Sequence, residues 1–207
     1  MSREEGLITK IIEIEWRMFQ NVPNIGGTAA CQEDRATFEV NRFSQAVSWS
    51  EAALESYLGD LTEAEKNDRN LLTEKYARMM KSTSPLEYAR IEHLLPFLNP
   101  EILAMIDKIV SIVLEWEEVL SEKYPYIFSK GRPLHSSDDA QFVTSIETYL
   151  RGELATCSLG TLELYYENIL EQKSGNINGA EVTLGHMMKR YGFDSLAEAN
   201  AELKALA

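Results

Sequence analysis

Only two cysteines and three histidines occur among the 207 residues of this sequence. Cys31 and Cys157 lie far apart and in no C-x-x-C pair, which excludes a disulfide framework and a thiolate zinc site and predicts reduced thiols. The residues three positions before His93, His135 and His186 are Arg90, Arg132 and Thr183. A bundle-core carboxylate metal site needs Glu-x-x-His pairs, so that site is absent, as is the His-Glu-x-x-His zinc signature. Basic residues are also scarce: 20 Lys and Arg stand against 33 Asp and Glu, a net charge of −13. Phosphate binding needs a basic face, so no nucleic acid and no anionic membrane is expected as a main partner. The most apolar run, Ile102 to Leu114, is broken by Asp107 and Lys108 and is too short to span a bilayer. The charged start, Met1-Ser2-Arg3-Glu4-Glu5, opens a helix and carries no signal-peptide pattern. A soluble cytoplasmic protein is therefore expected.

Sustained alternation of apolar and polar residues is missing as well, which excludes a sheet. Helical periodicity fills the chain instead. Ser2 with Glu5, Ser48 with Glu51, Thr62 with Glu65 and Ser195 with Glu198 read as capping boxes, and Ser84-Pro85 and Asn99-Pro100 as cap and first helical residue. Pro96 and Pro125 read as stops, and Gly192 as a helix end. The pattern predicts an all-α, single-domain bundle of about ten helices, near 3–20, 30–47, 50–66, 70–82, 85–95, 100–123, 138–156, 159–173, 179–191 and 196–206. Two longer loops carry glycines, Asn21 to Gly27 and Ile127 to Ser137. Ile8–Ile14 faintly echoes Ile106–Ile112, which shared apolar patterning explains more cheaply than duplication.

Several polar residues fall where this periodicity wants apolar ones. At 100° per residue, Glu15 sits in the centre of a stripe of Ile8, Ile11, Ile12, Met18 and Phe19. Glu117 falls among Ile106, Val110, Val113 and Leu120. Glu153 falls among Phe142, Ile146, Leu150 and Cys157, with Asp139 on the same line. The second helix sets Cys31, Asp34, Phe38, Arg42, Gln45 and Trp49 opposite Val40, Phe43 and Val47. Lys75 sits beside Leu72, Tyr76 and Met79. A carboxylate aimed into a core is costly unless paired, and a guanidinium pairs it bidentately, so Arg42 is the natural partner of Glu15 or Glu153.

Three strings of this sequence resemble domain-of-unknown-function family 4125, a bacterial family. They are Glu15 to Gln20 running on through Asn24, Gly26-Gly27 and Cys31 to Asp34; Asn70 to Met80; and Thr144 to Glu153. The likeness covers roughly Leu7 to Glu198. It implies a bacterial protein and no particular activity or cofactor. Glu15, Cys31, Lys75 and Glu153 fall within these strings.

The leading expectation is a protein that binds, or transforms, a small polar or anionic metabolite in an interhelical pocket. Arg42 would hold an anionic group with help from Lys75 or Arg151. Glu15 or Glu153 would be the acid–base group, and Gln45 and Asn24 would orient the ligand by hydrogen bonds. No metal is assigned, and no cofactor, reaction class or oligomeric state follows from these residues. The alternative is a non-catalytic interaction or scaffold protein whose buried charges fix helix register. A third reading places magnesium on Glu15, Glu117 and Glu153, and needs all three in one coordination sphere.

Overall fold

Short polar side chains set most of the helix starts. The computed structural model describes residues 2–24 and 27–206. Within them lie eleven α-helices: α1 (Arg3–Gln20), α2 (Arg35–Ala46), α3 (Glu51–Lys66), α4 (Leu71–Thr83), α5 (Pro85–Ile91), α6 (Pro100–Lys123), α7 (Pro125–Phe128), α8 (Ile146–Leu154), α9 (Leu159–Ser174), α10 (Gly179–Arg190) and α11 (Leu196–Ala205). No strand occurs among the described residues; one isolated bridge joins Ala140 to Val143. No described helix is long and apolar enough to cross a membrane.

Ser2 and Glu5 form a complete capping box on α1. The α10 end is a double-bonded turn: Phe193 N–H donates to Met188 O and Gly192 N–H to Lys189 O, with Gly192 at φ +96°. That geometry needs a residue without Cβ, which is why glycine stands there. Gly27 also takes a positive φ, as a turn requires, whereas its neighbours Ile25 and Gly26 lie outside the described residues.

Several predicted boundaries move. The cap of α3 is Ser50, not Ser48, and Thr62 lies mid-helix with its hydroxyl bonded back to Leu58 O. Pro125 does close α6, which ends at Lys123, and is also the first residue of the one-turn α7. The helix predicted from 30 divides into a turn at Ala30–Gln32 and α2, because the Asp34 side chain accepts from Thr37 N–H and restarts the helix. The helix predicted over 138–156 begins only at Ile146. Ser145 caps it, and the Asp139 carboxylate accepts from Ser145 N–H and the Thr148 hydroxyl, pinning the preceding loop. Phe142 therefore sits on that loop at positive φ, 94% exposed, rather than on a buried face.

Packing builds two separate apolar clusters. The larger joins α1, α3, α4, α6 and α9 through Ile8, Ile11, Leu54, Leu61, Leu71, Ile109, Leu162 and Ile169. The three leading isoleucines of the echoed segment, Ile8, Ile11 and Ile12, are buried as their counterparts Ile106, Ile109 and Val110 are. The smaller joins α7, α10 and α11 through Ile127, Leu196 and Ala199, with Leu184, Met188, Phe193 and Leu203 packed against them.

Helices α4 and α8 meet closely at Gly152. A Cβ there would lie 2.8 Å from Met79 Cγ and 3.1 Å from the carbonyl oxygen of Lys75. Met79 can turn aside, but the Lys75 backbone cannot without moving α4. Gly152→Ala should therefore destabilise the fold by about 1–3 kcal/mol despite alanine's better helix propensity. Thermal melting checks this; an unchanged or higher melting temperature would show the two helices free to slide apart.

Candidate functional site

Arg42 of α2 lies at the centre of a buried polar group. Its Nε and Nη2 donate to the two oxygens of Glu15, the first at 2.7 Å, in the bidentate arrangement that suits a guanidinium and a carboxylate. Its Nη1 donates to Glu153 Oε1 at 2.7 Å and also to Gln45 Oε1. Lys75 Nζ donates to the other Glu153 oxygen at 2.8 Å, and the Tyr57 hydroxyl donates to Glu15 at 2.8 Å. Glu15 is fully buried and Lys75 nearly so. Two acids and two bases make the group neutral overall, so it survives burial without an outside counter-charge.

The electrostatics follow from these contacts. Burial opposes charge on Arg42, but Glu15 and Glu153 outweigh it and hold the guanidinium firmly protonated. Burial alone would raise Glu153; Arg42 and Lys75 reverse this and bring its carboxyl down to about 2. Glu153 is thus a fixed anion. Burial and the adjacent Glu15 carboxylate keep the Tyr57 phenol neutral, as a donor must be.

A cavity of about 710 Å³ opens beside this group, in the gap between the two apolar clusters. Arg42, Gln45, Lys75 and Glu153 form part of its wall. Glu15 does not reach it, because Arg42 covers its carboxylate. A cation-flanked tyrosine and an aromatic pair continue the wall. The Tyr149 ring has Lys75 Nζ 3.7 Å from its centroid and the Arg132 guanidinium carbon at 5.0 Å. Trp49 stacks on Tyr165 with centroids 4.2 Å apart. Burial works to raise the Tyr149 phenol, and the Lys75 and Arg42 charges with a hydrogen bond from Lys75 together outweigh it, so the net shift is downward. The far wall comes from α6, α7 and α10: Trp116, Glu117, Ile127, Phe128, Leu184 and Met187.

Glu117 is the exceptional carboxylate of this wall. It is half-buried and has no hydrogen bond or ion pair among the described residues, and loss of hydration among apolar neighbours pushes its carboxyl up to about 7. Arg132 lacks a carboxylate partner among the described residues; it donates to Thr144 O at the rim.

The residues singled out from the sequence divide cleanly. The structure brings together Glu15, Arg42, Gln45, Lys75 and Glu153. Asn24 lies elsewhere, exposed, donating to Gln32 Oε1 and Val22 O. Arg151 faces outward and pairs with Glu147 and Asp107. The magnesium reading does not hold: Glu15 and Glu153 are both bonded to Arg42, Glu117 stands on the opposite wall, and no group of three acidic, Cys or His side chains is placed to hold a metal among the described residues. Tyr149, Arg132 and Trp116 were not singled out. Tyr149 lies one helical turn before Glu153 and so shares its face, a signal present in the spacing. Arg132 sits in the Gly131-Arg132-Pro133 loop, for which periodicity offers no direction.

No curated protein and no solved structure matches the chain. A family profile described as "Protein of unknown function (DUF4125)" matches residues 5–201, nearly the whole length, and the chain belongs to that family.

Proposed function

We propose that this protein binds a small polar molecule bearing an anionic group in the cavity between its two apolar clusters. The observation that carries the reading is the cavity itself: its volume of about 710 Å³ lies within the usual range for small-ligand sites. Its wall offers oriented polar groups rather than apolar surface alone. Arg42 is occupied by Glu15, Glu153 and Gln45, and Lys75 is bonded to Glu153, so the anion falls to Arg132 at the Tyr149 ring, with the Lys75 charge beside the same ring adding its field. Gln45 and Asn41 orient the ligand from α2. We place the protein in the bacterial cytoplasm, where thiols stay reduced; Cys31 and Cys157 are both free.

A thermal-shift screen of the purified protein against metabolites and nucleotides tests the proposal. A ligand at 100 times its dissociation constant adds about 2.7 kcal/mol, which for a chain of this length raises the melting temperature by roughly 5–11 °C. Arg132→Met should weaken such a hit by about tenfold to a hundredfold, the worth of a hydrogen bond to a charged group. A ligand indifferent to Arg132→Met and to Lys75→Met would place the anion elsewhere.

One observation favours the alternative of an interaction or scaffold protein. The Glu15–Arg42–Glu153–Lys75 group is complete and neutral as it stands. Leu86, Leu94 and Phe97 are also 78%, 72% and 87% exposed on α5 and the turn after it, as a partner-binding face would be. A screen with no hit would favour this reading.

A further inference from the structure

We propose that the molecule held in the cavity carries a basic nitrogen as well as its anionic group, and that Glu117 is the counter-ion of that nitrogen. The inference rests on the reading that the cavity binds a small molecule. Three carboxylates line the cavity: Asp34, Glu117 and Glu153. Asp34 is engaged as the α2 cap, accepting from Thr37 N–H at 3.0 Å, and Glu153 is bonded to Arg42 and Lys75. Glu117 alone of the three has no hydrogen-bonding partner among the described residues. Its position explains why none reaches it. Along α6 its neighbours a turn away are Val113, Leu114, Leu120 and Ser121, whose hydroxyl donates to Glu118 O instead. Beside it α10, which packs on α6 with Asn178 donating to Trp116 O, presents Leu184, Met187 and the Thr183 hydroxyl, which donates instead to Ser48 Oγ.

An unpartnered carboxylate in such surroundings is costly to keep charged, and a ligand that supplies the missing cation removes that cost. An ammonium suits the place for a second reason. Trp116, Trp49 and Tyr165 line the same cavity as Glu117, so aromatic faces are available there to a cation. A metal ion would need further oxygen ligands that the wall does not provide. A neutral hydroxyl would form a weaker bond than a charged donor. The cations at Tyr149 belong to α4 and the loop before α8, whereas Glu117 belongs to α6. The ligand is therefore a zwitterion with its anionic group at the Tyr149 cations and its basic nitrogen at Glu117, and the chain length of the best binder reports the spacing of the two.

Three matched series test this: linear ω-amino acids of four to ten carbons, the fatty acids of the same lengths, and the corresponding alkylamines. Titration calorimetry is run on the parent and on Glu117→Gln, with melting curves confirming that both are folded. The expected result is an ω-amino acid that binds the parent at least tenfold more tightly than the fatty acid of its length. In Glu117→Gln that advantage disappears while fatty-acid affinity is unchanged. Equal affinity of the two series, or an advantage that persists in Glu117→Gln, overturns the role of Glu117 and leaves the cavity reading standing. If no member of any series binds, the cavity reading falls and the proposal falls with it.

Discussion

Replacing Arg42 with methionine is expected to lower the melting temperature by roughly 6–20 °C, the equivalent of about 3–5 kcal/mol for a chain of this length. The size follows from what stays behind. Glu15 is fully buried and holds two of the guanidinium's hydrogen bonds; only the Tyr57 hydroxyl would remain to it. Glu153 would keep Lys75. One carboxylate is thus stranded, not two, and adding Glu15→Gln to the same chain should recover much of the loss. A buried ion pair is weak as a source of net stability, yet breaking it from one side is severe because the surviving charge has nowhere to go. A fall of under about 2 °C in Arg42→Met, with no recovery in the double variant, would mean that water reaches Glu15.

Glu117→Gln is expected to act in the opposite direction and only over part of the pH range. The carboxyl titrates near 7 in the folded protein against an ordinary value of 4.5. Below about 4.5 it is protonated whether the chain is folded or not, and it costs nothing. Between 4.5 and 7 only the unfolded chain releases the proton, so stability falls as pH rises, by about 1.4 kcal/mol for each unit. Above 7 the full cost, about 3 kcal/mol, is present. The amide cannot ionise. Glu117→Gln should therefore match the parent near pH 4.5 and melt roughly 6–12 °C higher at pH 8. Glu153, held down to about 2, has its own window below 4.5, where its contribution is lost on acidification. The two effects do not overlap above pH 5. Parallel melting curves of parent and variant at pH 5 and pH 8, with no gap opening between them, would mean that water in the cavity hydrates the half-buried Glu117 carboxylate fully.

Periodicity carried much of the architecture and the centre of the buried group. Glu15 stands out because a carboxylate interrupts a stripe of isoleucines, and Arg42 because it is the guanidinium on the odd face of the next helix; complementary chemistry then pairs them. The same arithmetic misplaced Phe142 and Asp139. It extended a helix through residues whose side chains cap the helix after them, and a cap looks like any other short polar residue until its backbone partner is known. The isolation of Glu117 was beyond the reach of any local pattern. Whether a carboxylate on α6 finds a partner depends on α9 and α10, which fold against it from more than forty residues away. Asn24 and Arg151 show the converse. Both have near neighbours in sequence to bond, Val22 and Glu147, and those local bonds hold them away from the cavity.

The division of the interior into two clusters has a consequence for how the molecule loosens. The smaller cluster has three buried residues, and α10 ties it to the rest of the chain: His186 stacks on Phe43 and bonds the Ser44 hydroxyl, and Asn178 donates to Trp116 O. Parting α10 from α2 and α6 breaks these contacts, whereas α7 and α11, which pack chiefly on one another, lift away with less loss. That movement opens the cavity on the side lined by Ile127, Phe128 and Leu203. A molecule lodged between the clusters adds contacts to both, and so makes the two parts of the interior unfold more nearly together.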